Sequence, residues 1–432
     1  MTSLDVLLHA HLAVIDGEVR PGSVGVVDGV IVVLDPEPGA HAHDIWLPDT
    51  AVLLPGLVDT HVHVNEPGTD WEGFASATAA AAAGGITMLV DMPLDSDPVT
   101  TSVSALESKR AAAQGNCHID VGFWGGVVPN NAGEPAVLAA LVAAGCLGFK
   151  CFLSDSGNPA FPPLSPGDFR RAMESVAELD TVMLVHAESA AVIAECAPVE
   201  GDSYASFLRS RPDAAEVQAV QLVLDTVAAT GARAHIVHVS SAASLPLLAA
   251  AKRAGLPVTA ETCPHYLTFA AEEIPDGGTE FAACPPIRGD ENRQQLWAGL
   301  RDGVLDMIVS DHSPCAPQYK GSGDFGVAFG GISSLQLGLR AVWTQALRQG
   351  MDLADVCRWM AERPAALAGL TDRGRIAVGA RADFVVFDPA ARNRVDATQL
   401  HHRHPVTPYD GLELQGAVLQ TWLAGRPLTV AA

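Results

Sequence analysis

Cations are scarce in this chain: 26 Lys and Arg stand against 50 Asp and Glu, for a formal net charge of −24. No cluster of Lys and Arg is long enough to make a phosphate-binding stripe. Nucleic acid and anionic membrane are therefore not expected partners, because phosphate affinity rests on cationic side chains. Paired cysteine motifs are lacking too. The eight cysteines (Cys117, Cys146, Cys151, Cys196, Cys263, Cys284, Cys315, Cys357) show no C-x-x-C and no regular spacing, which argues against a disulfide framework and for a reducing, cytoplasmic compartment. Nor is there an unbroken apolar span. The stretch FASATAAAAAGGITMLV is mostly alanine and is interrupted by Gly84 and Gly85, so it reads as a buried helix leading into a strand. The N-terminus carries Asp5 where a secretory leader would be positive, and it lacks a small-residue cleavage site. A soluble protein is expected.

What is present is apolar residues, 48% of 432, enough for a large core. At ~150 residues per domain the length suggests about three domains, but α/β barrels run to ~250 residues as one unit. Residues 1–52 carry short β-branched runs separated by Asp16-Gly17 and Asp28-Gly29, and VGVVDGVIVVL reads as a hairpin. A similar texture returns in residues 371–432, in RIAVGARADFVVFDP and AVLQTWLAGRPLTV. Each end is too short for a comfortable domain, so the two are expected to pair. In residues 53–370, strand-length apolar runs recur at GLVDTHVHV, ITMLVDM, IDVGFWG, CLGFKCF, TVMLVHAE, AHIVHVS, PVTAETCPH and DMIVSD. Helix-period segments such as AEVQAVQLVLDTVAATG lie between several of them. Continuous apolar strands alternating with helices imply a parallel sheet covered on both faces, and eight of them suggest a closed (β/α)8 barrel. A doubly wound open sheet is the alternative.

Polar residues stand at the C-terminal ends of those runs: His61 and His63 on the first, Lys150 on the fourth, His186 on the fifth, His238 on the sixth and Asp311 on the eighth. In a barrel these ends converge on one mouth, where active sites are found. Residues two apart on a strand share a face, so His61 and His63 can point into it together. Each residue has an ordinary structural reading, a core imidazole or, for Asp311, a helix cap. Lys150, between Phe149 and Cys151, resists one, because an ammonium in an apolar layer is costly unless paired or modified. Four imidazoles and a carboxylate are a metal site by composition, suited to zinc, iron, manganese or cobalt. Reaction of Lys150 with carbon dioxide would turn a cation into a bridging carbamate. Two divalent ions then balance carbamate, Asp311 and a bridging hydroxide to within one charge. Lys150 as a Schiff-base nucleophile, the alternative, would sit badly among cations.

These motifs, together with PGLVDTHVHVNEPG, WEGFASATAAAAAGGITMLVDMPLDSDP, GFKCFLSDSG, ETCPHYL, CPPIRGDENRQQLW and VSDHSPC, resemble those of the allantoinases. These form part of the cyclic-amidohydrolase group of the metal-dependent amidohydrolases, beside dihydroorotases and hydantoinases. The likeness spans essentially the whole chain. It implies a (β/α)8 barrel plus a small β-sandwich made from both chain ends. It also implies a binuclear centre, with zinc the first expectation. His61 and His63 would hold one ion and His186 and His238 the other. Carboxylated Lys150 would bridge them and Asp311 would complete the first ion's shell.

The resemblance also bears on the substrate. Dihydroorotases carry an arginine where this chain has Asn65, and hydantoinases a tyrosine shortly after the modified lysine, where Lys150 is followed by CFLSDSG. Both departures favour allantoin, opened to allantoate in ureide catabolism. Hydantoinase, dihydropyrimidinase and dihydroorotase activities are the alternatives, with a catalytically silent scaffold further off. Asn65, Ser154, Cys284 and Ser313 are the expected substrate contacts; Cys284 stands where many such proteins carry a serine. Glu188 is expected to orient a metal ligand. His265, Arg288 and His312 are expected to support loops, and His401, His402 and His404 to lie on the surface or at an interface. The resemblance further implies a homotetramer.

Overall fold

The computed structural model describes residues 4–36 and 43–429. The reading of residues 1–3 and the outermost ends of both terminal segments lie outside the described residues. Asp16-Gly17 and Asp28-Gly29 each place two successive residues at positive φ, 53° and 78° in the first pair and 50° and 75° in the second. That combination is what a type I′ turn requires. The turns join Val6–Ile15 to Glu18–Val27, and that strand to Val30–Leu34. The C-terminal strands Phe384–Arg394 and Glu413–Leu423 enter the same sheet through Val52–Pro55, with Phe384 opposite Pro55. The two ends of the chain thus form one eight-stranded sheet. Its halves share a core that includes Leu8, Ile15, Val26, Leu53, Phe384 and Trp422.

All eight strand-length runs of the middle segment form parallel strands: Leu57–Val62, Ile86–Asp91, Asp120–Phe123 with Gly125–Gly126, Phe149–Phe152, Val182–His186, Arg233–Ile236, Val258–Thr262 and Met307–Ile308. Neighbours pair in chain order. The third strand is broken at Trp124, yet its first half pairs backwards and its second half forwards. The ring closes where Val62 bridges His312 and the His63 N–H donates to the His312 carbonyl at 2.8 Å. An open doubly wound sheet would leave its edge strands apart. The fold is a (β/α)8 barrel with an appended sandwich domain.

One main helix follows each strand, from Phe74–Ala83 after the first to Gly338–Arg348 after the eighth. The alanine-rich Phe74–Ala83 is buried on most of its surface. Small side chains let it fit closely under the terminal sheet, where Thr421 donates to the Ala82 carbonyl at 2.6 Å. Among the described residues, no helix is long and apolar enough to cross a membrane.

Candidate metal centre

Strand alternation alone would not aim the first two histidines inward. Val58 belongs to the barrel's inner cluster, so strict period-two alternation would turn His61 and His63 outward. Between Asp59 and Val62 the first strand takes three residue steps against two on its neighbour. This bulge switches the parity. Val62 and Val64 then join the outer core, and His61 and His63 face the mouth. On the fourth strand Phe149 and Cys151 pack outward, leaving Lys150 and Phe152 inside. Register sets Phe152 beside His186. His238 and Asp311 leave their strands at φ 39° and 45°, left-handed turns that break the alternation at the rim.

All six residues line one cavity of about 320 Å³. The imidazoles form a chain: ring centroids are 5.5 Å apart from His63 to His61, 5.5 Å from His61 to His238 and 4.6 Å from His238 to His186. Asp311 Oδ1 lies 3.1 Å from His61 Nε2 and 3.6 Å from His63 Nε2. His61, His63 and Asp311 offer ligand atoms within 4.8 Å of one another. The His61 Nδ1–H donates to Glu261 Oε1 at 2.5 Å, which leaves Nε2 with a lone pair. Two lone-pair atoms that close to a carboxylate oxygen are an arrangement for a cation. His186 Nε2 donates to Glu188 Oε2 at 2.7 Å, leaving Nδ1 as its free lone pair.

Lys150 is fully buried, and its Nζ has no hydrogen-bond partner. Burial pulls its amine down to about 8, against the restoring pull of Asp311 and Glu261. About a tenth is therefore neutral and nucleophilic at pH 7, against roughly three in ten thousand for an ordinary lysine. Burial also drives His61 and His238 well below the usual imidazole range, helped at His61 by Lys150 and at His238 by His186. His186 is lowered by burial too, although Glu188 pulls the other way. Neutral imidazoles are the form that binds metal. The donor set fits divalent ions, and the unpartnered amine is the one group that does not fit unmodified.

Two residues that hold this arrangement were not singled out from the sequence. Glu261 receives His61 Nδ1, His235 Nε2 at 2.8 Å and the His238 backbone N–H at 3.2 Å. Asp59 accepts the backbone N–H of His61 at 3.1 Å and of Ser310 at 3.0 Å, tying the first strand to the eighth. Burial raises its carboxyl to about 7. The available signal was the one that marked Lys150, a charge inside an apolar run. Glu261→Gln keeps the shape but loses the charge that sets two histidines. We expect metal affinity to fall about 10- to 100-fold, measured by chelator competition, with far-ultraviolet circular dichroism unchanged.

Of the expected substrate contacts, Cys284 and Ser313 line the cavity, whereas Asn65 and Ser154 are buried and are not part of the lining. Asn65 sits at φ 61° and its side-chain amide donates to the Pro314 carbonyl at 3.2 Å. Trp71, Phe329, Asp155 and Arg211, none of them expected as contacts, are in the lining instead. His312 and Arg288 do support loops. His312 Nδ1 accepts from the Ser334 N–H at 3.1 Å while its Nε2 meets Glu72, and Arg288 holds Glu216 at 2.8 Å. His265 is buried with both ring nitrogens unpartnered. Of His401, His402 and His404, expected on the surface or at an interface, His402 is not on the surface. It is buried, 4.8 Å from the His312 ring, and accepts from the Gln336 N–H. The segment clamps barrel loops: the Arg403 N–H donates to Glu72 at 3.0 Å, and His404 meets the Asp70 carbonyl at 2.9 Å.

A closed barrel with imidazoles, a carboxylate and a buried lysine gathered at the C-terminal strand ends has the place of a barrel enzyme's active site and a donor set able to hold metal. The amidohydrolase family matches residues 52–428. An allantoinase of Streptomyces avermitilis is 47% identical over 99% of this chain and 96% of that protein. An allantoinase of Saccharomyces cerevisiae is 46% identical over 87% and 82%. The solved structure of an L-hydantoinase from Arthrobacter aurescens superposes with a TM-score of 0.92 at 27% identity, covering 98% of this chain and 96% of that one. The chain belongs to the amidohydrolase family.

Proposed function

We propose that this chain is an allantoinase, opening the hydantoin ring of allantoin by hydrolysis of its cyclic amide to give allantoate. The observation that carries the reading is Lys150, buried and unpartnered beside four imidazoles and Asp311, in a chain whose relatives are allantoinases. His61 and His63 would hold one divalent ion and His186 and His238 the other. The Lys150 amine adds to carbon dioxide, forming an N–C bond and releasing a proton to solvent. With that carbamate, Lys150 would be a ligand of both ions, and Asp311 would be a further ligand of the first. Zinc is the first candidate. When bound, such a pair of ions brings the pKa of water from 15.7 toward ~7 and polarises the ring carbonyl.

The chain's own residues supply the rest. Asp311 accepts the attacking water's proton and returns it to the departing ring nitrogen, which is a poor leaving group without it. Asn65, Ser154, Cys284 and Ser313 are the candidates for holding the ring, and Cys284 and Ser313 are the pair supported by position. The reading includes a division into residues 1–52, 53–370 and 371–432, a homotetramer, and a cytoplasmic location that eight free cysteines support.

The hydantoinase likeness favours one second reading, the same chemistry on another cyclic ureide. A substrate panel on metal-replete protein separates them. Allantoin should exceed hydantoin, dihydrouracil and dihydroorotate in kcat/KM by at least about tenfold, the yield of one good hydrogen bond to a charged group. Preference for hydantoin or dihydrouracil would contradict the proposal. Absence of any turnover would favour a silent scaffold.

A further inference from the structure

Arg211 is the arginine of the cavity wall, and nothing in the metal chemistry uses it. It ends the short helix Tyr204–Ser210. One Nη donates to Glu188, the carboxylate that also receives His186. Its backbone carbonyl accepts from Arg288 Nη2 at 3.1 Å, and Arg288 is itself anchored on Glu216 and Asp213. The guanidinium is therefore fixed while its side chain remains 20% exposed toward the cavity. Asp155, just past the Lys150 strand, lines the same cavity. Its Oδ1 accepts the Gly157 N–H at 3.1 Å, which sets its loop. Arg211 holds its proton more firmly than usual, chiefly through Cys284 and Glu188, with Asp155 close enough to add a smaller share.

A guanidinium offers only donors and a carboxylate only acceptors. A urea group offers one carbonyl acceptor flanked by N–H donors, so the two side chains together complement it. Allantoin is a hydantoin that bears a urea arm on the carbon beside the scissile carbonyl. With that carbonyl at the metal ligands, the arm lies against the nearby wall, and Arg211 shares its carboxylate partner with one of those ligands. We propose that Arg211 and Asp155 grip the ureido arm, Arg211 donating to its carbonyl and Asp155 accepting from its N–H groups, and that this pair selects allantoin over rings without the arm. The assignment rests on the allantoin reading above.

The test uses full-length, metal-replete Arg211→Lys and Asp155→Ala. Arg211→Lys keeps a cation for Glu188 but loses the planar fork, and Asp155 is exposed and bonded to no metal ligand. The quantity read is the ratio of kcat/KM for allantoin to that for hydantoin, which lacks the arm. Where hydantoin turns over too slowly, its inhibition constant against allantoin replaces it. We expect the ratio to fall roughly 10- to 100-fold in each variant, the yield of a hydrogen bond to a charged group. Equal losses on both ligands would overturn the proposal. Arg211 would then act on His186 through Glu188, or hold the carboxylate that both products share. A wild-type protein that leaves allantoin untouched would overturn the allantoin reading and this assignment with it.

Discussion

Asp311→Asn should cut kcat by about 10²- to 10⁴-fold, the range for a positioned acid–base group, while most of the metal stays bound. Asparagine is nearly isosteric with aspartate and keeps an oxygen lone pair near the point where Asp311 Oδ1 now lies, 3.1 Å from His61 Nε2. It therefore remains a ligand, though a weaker one. What it loses is the ability to accept a proton at neutral pH, and with it both halves of the transfer, from water and to the ring nitrogen. The left-handed backbone at φ 45° is one that asparagine tolerates well. Turnover and metal content measured on the same preparation separate the two roles. Near-normal turnover would remove Asp311 from the mechanism, and loss of metal would make it a ligand above all.

Lys150→Ala should lose activity by about 10³-fold or more. Two bound ions would stabilise the developing charge by several kcal/mol, and each 1.36 kcal/mol is a decade in rate. The neighbours of Lys150 along the strand cannot replace the missing bridge, because Phe149, Cys151 and Phe152 are apolar and buried. The deletion also leaves a cavity where the lysine stem was. Acetate or propionate can enter it and present two oxygens where the carbamate would stand. Partial recovery with these acids, saturating with concentration, is the expected signature of a carboxylated lysine. Full activity of the variant without them would refute the bridge.

Much of this architecture was legible in the sequence because its signals are local. The Asp-Gly turns need positive φ at two successive residues, and few pairs of residues supply it. The barrel strands announce themselves as apolar runs because both faces are covered, and the polar residues that end them stand out against that background. The rest depended on distance. Glu261 meets His61 from two hundred residues away, and Asp59 meets the Ser310 N–H across the closure of the barrel, and no spacing in the chain records either contact. Arg211 reaches the cavity from the loops after the fifth strand, through partners as far away as Arg288. His402 looked solvated because its neighbours His312 and Gln336 lie more than sixty residues away. The bulge at Asp59–Val62 is a one-residue shift in register. Apolar periodicity does not reveal such a shift, yet it is what turns His61 and His63 into the mouth.

Elemental analysis of the purified wild-type chain against protein concentration tests the central claim most directly. Four imidazoles, a lysine carbamate and Asp311 predict close to two divalent ions per chain. A chain that is folded, saturated with zinc during purification and still holds none, or only one, would contradict it.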